Sequence, residues 1–449
     1  MITVQDKANG RMFLFLQGPH GPFFRRLAEA LVDRGVQVRR ILLNSADAAE
    51  WGRNLPATRF TGPPETFEEW LAQQIDALGV TDIVFYGDTR KAHRTAWDLA
   101  QSRGITVHNL EEGYLRPRYV TYERGGANAY SRLCEISIQQ MAAVVGQPAP
   151  PDEEGAGDSW GDTRQHLWLS AAYYLRLAAS RGSARLQSDA RQMAFWRTIG
   201  WYVIRALGVP YIRIWRWWRQ RRLFRSGRTY HLVLLQLSHD ASVHEHSGYE
   251  NSAAFVEDVI DAFAEGADKN HLLVFKAHPF ENGRERLGRV IRDLARDLGI
   301  AERVMFIDGG KRLAPLMDRA RSVVTINSTG AHQALWRGLP VSARGRAIYR
   351  KPGLVSEQSL ARFFQHPRRP DLRAYWIFRK FLLATCQFSG SFYAETGIRR
   401  LLEALPDAML AHLGPYERDI GVSRLARDPA LKPGADLTSS VQTPSTQLH

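Results

Sequence analysis

Short apolar runs recur along this chain, each closed by a turn and followed by an amphipathic stretch, and that alternation restricts the fold more than any other feature. Met12–Leu16 (MFLFL) runs into Gln17-Gly18-Pro19-His20-Gly21-Pro22. An amphipathic stretch from about Phe23 to Arg34 follows, Gly35 closes it, and Val36–Leu43 reads as the next strand. Asp82–Tyr86 and Thr106–Leu110 then flank a helical stretch around His93–Arg103. Strands joined through helices run parallel, with helices covering both faces of the sheet. From Tyr230 the pattern returns, with strands expected at His231–Leu237, His271–Lys276, Arg303–Ile307 and Ser322–Ile326.

The fold class expected is α/β, with two Rossmann-like doubly wound domains, a helical Arg/Trp-rich insert and C-terminal helices. The first domain takes 11–147, a linker and helical membrane-contact segment 148–228, the second domain 229–360, C-terminal helices 361–426 and a disordered tail 427–449. Pro148-Ala149-Pro150-Pro151 opens the linker, and Pro, Ser, Thr and Gln dominate the tail. Two doubly wound domains describe GT-B glycosyltransferases, several epimerases and periplasmic-type binding proteins. In all of them ligands bind at the carboxyl ends of strands.

With 60 Lys and Arg against 46 Asp and Glu, the formal charge of +14 favours an anionic partner: nucleic acid, a phospholipid surface or a phosphorylated substrate. The two cysteines, Cys134 and Cys386, make neither a disulfide framework nor a zinc motif, which suggests a reducing cytoplasm. The opening residues do not read as a signal peptide, and no apolar run reaches the roughly 18 residues of a spanning helix.

Five clusters carry candidate chemistry. Glu111 and Glu112 follow the strand ending at Leu110; paired carboxylates can split into acid and base, or can simply pair with Arg116 and Arg118. Asp240, in Gln236-Leu237-Ser238-His239-Asp240, is a nucleophile or base, or a turn aspartate. The histidines near it (His239, His244, His246) have no metal-ligand spacing, so no metal is expected. Lys276 and His278-Pro279 end a strand and suit a phosphate or carboxylate, or merely stop the strand. Asn327-Ser328-Thr329-Gly330 precedes a helix, where hydroxyls and free N–H groups either bind an anion or cap the helix. Neither a Walker A motif nor a GxGxxG follows a first strand. In Phe195–Arg225, five tryptophans interleave with eight arginines. That composition favours a lipid interface, although a nucleic-acid patch or a helix packed on the protein shares it.

In order and spacing these blocks resemble the KpsS/LipB family of capsule synthesis proteins over most of 12–360. The resemblance rests on LQGPHGPFFRRLAEAL, GVTDIVFYGDTRKAHRTA and EEGYLRPRYVTYERGGANAYSRL. It continues in QLSHDASVHEHSGY, LVFKAHPFENG, RVMFIDGG and VVTINSTGAHQALWRGLPVSARGRAIYRKPGL. The chain departs from the family pattern at Gly87-Asp88-Thr89-Arg90, where GDCR is common, and at Asn44-Ser45-Ala46-Asp47, where N-x-GD is common.

The resemblance implies a GT-B-like, retaining β-Kdo transferase that moves Kdo from CMP-β-Kdo to a lyso-phosphatidylglycerol-type lipid, with no separate cofactor. By position it makes Asp240 the nucleophile and Glu112, or its neighbour Glu111, the acid/base. His278 and Pro279 become the CMP-binding HP element, with Lys276, Asn327, Ser328, Thr329 and Gly330 completing the donor site. Arg116 and Arg118 become candidates for the Kdo carboxylate. Gly18, Gly113, Tyr114, Gln236, His246 and Ser247 would line the cleft. The expected partners are CMP-Kdo, a lyso-phospholipid, the anionic inner-membrane surface and other capsule biosynthesis or export proteins, with no nucleic acid. The expected location is peripheral, on the cytoplasmic face of the inner membrane. A transferase for another CMP-activated nonulosonic acid, or a non-catalytic subunit of an export complex, would share the fold.

Overall fold

The computed structural model of the 449-residue chain describes residues 10–87, 90–146, 163–179, 214–236, 247–278, 286–308, 310 and 313–417. In chain order the strands are β1 (Met12–Phe15), β2 (Gln37–Leu42), β3 (Ala57–Arg59), β4 (Asp82–Tyr86), β5 (Thr106–Glu112), β6 (Tyr119–Arg124), β7 (Tyr230–Leu234), β8 (Leu272–Lys276), β9 (Val304–Ile307), β10 (Ser322–Thr325), β11 (Val341–Ala343) and β12 (Gln387–Ser389). The chain divides into two compact units. The first draws its described residues from Met1–Gly208 and Ile377–Ser423, the second from Val209–Trp376.

In the first unit the sheet order is β12-β6-β5-β4-β1-β2-β3. β1 to β5 are parallel, β6 runs antiparallel to β5, and β12 antiparallel to β6. Alternation along β1 explains why both faces are covered. Phe13 and Phe15 enter one core with Phe23, Phe24 and Leu27, while Leu14 and Leu16 enter the other with Phe67, Leu71 and Phe85. Burial of each such side chain contributes roughly 1.5–3 kcal/mol. The stretch expected to hold only C-terminal helices, 361–426, contains β12, a strand too short to carry a periodic signal. The helix Glu395–Leu410 returns Ile398, Leu401, Leu405 and Met409 to the core around Phe23 and Phe24.

In the second unit the five strands are all parallel, in the order β11-β10-β7-β8-β9. Its core joins Val233, Leu273, Phe275 and Val324 to Phe255, Val259 and Phe263 of the helix Ser252–Gly266, and to Phe363 and Phe364 of the helix Leu360–Gln365. Each unit is thus doubly wound and Rossmann-like, as the strand–helix alternation predicts. The direction of winding reverses between β1 and β4 in the first and between β7 and β10 in the second. Crevices of this kind, at the carboxyl ends of the flanking strands, are where open α/β sheets bind ligands. Among the stretches expected to have special structure, 148–162 and 180–213 of the linker and membrane-contact segment and the tail 427–449 lie outside the described residues.

Candidate functional site

In the first unit, β5 delivers Glu111 and Glu112 to its carboxyl end, both half-buried and on opposite faces of the strand. The Tyr86 hydroxyl donates to Glu112 Oε1 at 3.2 Å, and the Tyr393 hydroxyl is hydrogen-bonded to the same carboxylate. Burial, reinforced by the Glu112 charge, pushes both phenols far above their usual range. They stay neutral donors at any working pH and aim the carboxylate. Glu111 lies beside Gly87, with Oε2 3.3 Å from where a Gly87 Cβ would stand.

The turn after Glu112 is held from several sides. A Cβ on Gly113 would sit 2.1 Å from the Tyr119 carbonyl oxygen, so only glycine lets β5 and β6 approach there. Tyr114 is buried, its hydroxyl donating to Glu123 and accepting the Asn128 N–H at 2.7 Å, so it braces the loop from beneath. Arg116 is exposed and returns Nε to the Gly113 carbonyl at 3.1 Å; Arg118 is half-buried, and its backbone carbonyl accepts the Gly390 N–H at 3.0 Å. Gln387 of β12 spans the turn, accepting from Leu115 N at 3.1 Å and donating to Thr121 Oγ1 at 2.9 Å.

At the β1–β4 crevice Gly18 is buried against the Phe24 ring. Gln17 accepts from Arg90 at 3.4 Å and donates to Asp47 and to the Tyr173 hydroxyl. The same hydroxyl accepts from Asn44 at 2.9 Å and donates to Asp47 at 3.1 Å. Behind it, burial raises the Glu50 carboxyl to about 7, opposed by Arg40, while Gly21 N–H donates to Glu50 at 2.8 Å.

In the second unit, Gln236 and Asn327 face each other across the β7–β10 crevice. Gln236 Nε2 donates to Asn327 Oδ1 at 2.6 Å, and the Asn327 N–H returns to Gln236 Oε1 at 3.3 Å. No side chain caps the helix Ala331–Trp336; instead Ser328 Oγ accepts the Gly330 N–H at 3.2 Å, and Thr329 is half-buried beside it. The Ser328 carbonyl is held by the buried Tyr349 hydroxyl at 2.8 Å, which ties the NSTG turn to the GRAIY block. Lys276 ends β8 with Nζ donating to the Ala277 and Gly310 carbonyls at 2.8 and 2.9 Å. Burial, then Arg216, lowers it to about 8 against the pull of Asp308. His278 is half-buried two residues beyond β8, and Ser247 Oγ accepts the Tyr249 N–H at 3.3 Å. Asp240, His246 and Pro279 lie outside the described residues.

Tyr86, Tyr393, Gln387 and Tyr349 were not singled out from the sequence, because each acts from a strand or turn distant in sequence from its partner. The one available signal was a tyrosine inside a motif block, as in GRAIY.

The family model described as "Capsule polysaccharide biosynthesis protein" matches residues 81–158 and 201–393, and the chain belongs to that family. Its relatives include the capsule polysaccharide export protein KpsS of Escherichia coli, 29% identical over 396 residues that span 86% of this chain and 97% of that one. Also similar is the capsule polysaccharide modification protein LipB of Neisseria meningitidis serogroup A, 27% identical over 389 residues, 85% of this chain and 91% of that one. Among solved structures, the Thermosulfurimonas dismutans KpsC β Kdo 2,7 transferase aligns with a TM-score of 0.40 at 15% identity, covering 88% of this chain and 99% of that one.

Proposed function

We propose that this protein is a retaining β-Kdo glycosyltransferase of the GT-B type, using CMP-β-Kdo as donor and a lyso-phosphatidylglycerol-type lipid as acceptor to start a capsule linker. The observation that carries the reading is where the family's motifs fall. Gly18 follows β1, Glu111 and Glu112 end β5, Gln236 follows β7, Lys276 ends β8 and Asn327 follows β10, all carboxyl ends of parallel strands.

In this scheme the Asp240 carboxylate attacks the anomeric carbon of Kdo, and CMP departs with the electron pair of the broken C–O bond. The Ser328 and Thr329 hydroxyls and His278 bind the departing phosphate, where fixed donors stabilise charge that develops as the bond breaks. The acceptor hydroxyl then gives its proton to Glu112 while its oxygen attacks the same carbon and displaces Asp240. Two inversions give net retention. Tyr86 and Tyr393 fix the direction in which Glu112 takes that proton.

The test is incubation of the purified protein with CMP-Kdo, generated in situ, and a fluorescent lyso-phosphatidylglycerol, read by mass spectrometry. A product heavier by one Kdo, absent with Glu112→Gln, is expected. CMP binding without product would move the reading to another sugar or acceptor, and absence of CMP binding would end it.

A further inference from the structure

The helix over 214–225 lies along β9, the edge strand of the second sheet, and anchors there through Arg219, which donates to the Phe306 carbonyl. Between it and the helix Leu287–Asp297 runs a groove of ≈ 1290 Å³. Arg216, Arg219 and Arg222 line one wall and Arg289, Arg292 and Arg296 the other. The second set recurs every three or four residues and stands exposed along that helix, while the buried Leu287, Ile291 and Ala295 contribute apolar lining to the same groove. Against these six stand Asp308, 3.9 Å from Arg216, and Glu302, with Asp293 paired to Arg296 at 3.0 Å on the exposed side. Folding alone gives no reason to crowd guanidiniums. Burial and the neighbouring Arg292 and Arg222 lower Arg219 from its ordinary range, so the arrangement costs stability.

At the start of the same helix Ile214, Trp215, Trp217 and Trp218 are 58, 50, 45 and 55% exposed. Arg219 stacks over Trp215 and Arg221 over Trp217, at 4.9 and 4.8 Å. Indoles and an aliphatic side chain held in water beside a row of arginines suit the headgroup layer of an anionic bilayer: rings enter the interface and cations meet phosphates. No described helix is long and apolar enough to cross a membrane, so contact through this surface would be lateral.

We propose that the groove between these two helices, with the exposed tryptophans at its rim, is the docking surface for an anionic phospholipid bilayer. The surface therefore extends beyond the Trp/Arg segment to an arginine row some 70 residues later in the chain, between Arg289 and Arg296. The proposal does not depend on the transferase reading.

The test is cosedimentation of the full chain with phosphatidylglycerol–phosphatidylcholine vesicles and with phosphatidylcholine vesicles. Comparison is with the triple variant Arg289→Ala, Arg292→Ala, Arg296→Ala, whose fold is checked by thermal unfolding. Binding to the anionic vesicles alone, lowered on the order of a hundredfold in the triple variant, is expected. Equal binding to both vesicles, undiminished binding by a folded triple variant, or arginine-dependent capture of a single-stranded oligonucleotide without vesicle binding would each overturn it.

Discussion

Gly113→Ala is the sharpest probe of how the loop presents Glu112. The new Cβ would stand 2.1 Å from the Tyr119 carbonyl oxygen, whereas such contacts are essentially never below 3.0 Å. The backbone of one strand must therefore retreat by about 1 Å, and overpacking of this kind costs about 1–3 kcal/mol. The Glu112 carbonyl accepts from Thr121 Oγ1 at 3.2 Å, two residues past Tyr119, so the shift falls on Glu112, the proposed acid/base. A misplacement of about 1 Å lowers turnover by roughly a hundredfold. Thermal unfolding reads the first effect and Kdo transfer the second. Gly113 is not at positive φ, so its replacement carries the steric clash without a left-handed backbone penalty. A Gly113→Ala protein as stable and as active as wild type would refute the reasoning.

Other consequences follow from the same contacts. Tyr349→Phe leaves the Ser328 carbonyl without its 2.8 Å donor and should cost about 1–2 kcal/mol in unfolding free energy and weaken CMP binding, measured by titration calorimetry. Tyr393→Phe should lower kcat/KM for Kdo transfer by roughly tenfold with little change in melting temperature, because Glu112 loses one of the hydroxyls that aim it. Lys276 has its folded pKa depressed to about 8, so burying its charge destabilises the fold below that pH. Between there and the unfolded value near 10.5 the unfolded chain holds the extra proton, and stability rises with pH. Relative to Lys276→Met, wild type should gain on the order of 2–3 kcal/mol from pH 7 to 10 in denaturant titrations.

The doubly wound frame was legible because runs such as Met12–Phe15 and Leu272–Phe275 are apolar at every position, as a strand buried on both faces must be. β3, β11 and β12 were not, since three residues cannot display a period. β6 carries the alternation of Val120 and Tyr122 with Thr121 and Glu123, but all four are buried, a fact the alternation itself does not announce. Of the site, Glu111, Glu112 and Asn327–Gly330 could be found as polar groups ending apolar runs. The groups that aim them could not. Tyr393 reaches Glu112 through a helix and a strand returning from the far end of the chain, and such pairing is a property of the fold. Arg40, buried in β2, approaches the buried Asp47 and Glu50 at 3.7 and 3.9 Å, a pairing that only the fold brings together.

Double displacement through Asp240, as proposed, leaves a covalent trace. The direct measurement is mass spectrometry of peptides from protein incubated with CMP-Kdo without acceptor, alongside Kdo transfer by Asp240→Ala. A Kdo adduct on the peptide carrying Asp240 and no transfer by a folded Asp240→Ala protein are expected; transfer by that variant at the wild-type rate would contradict double displacement.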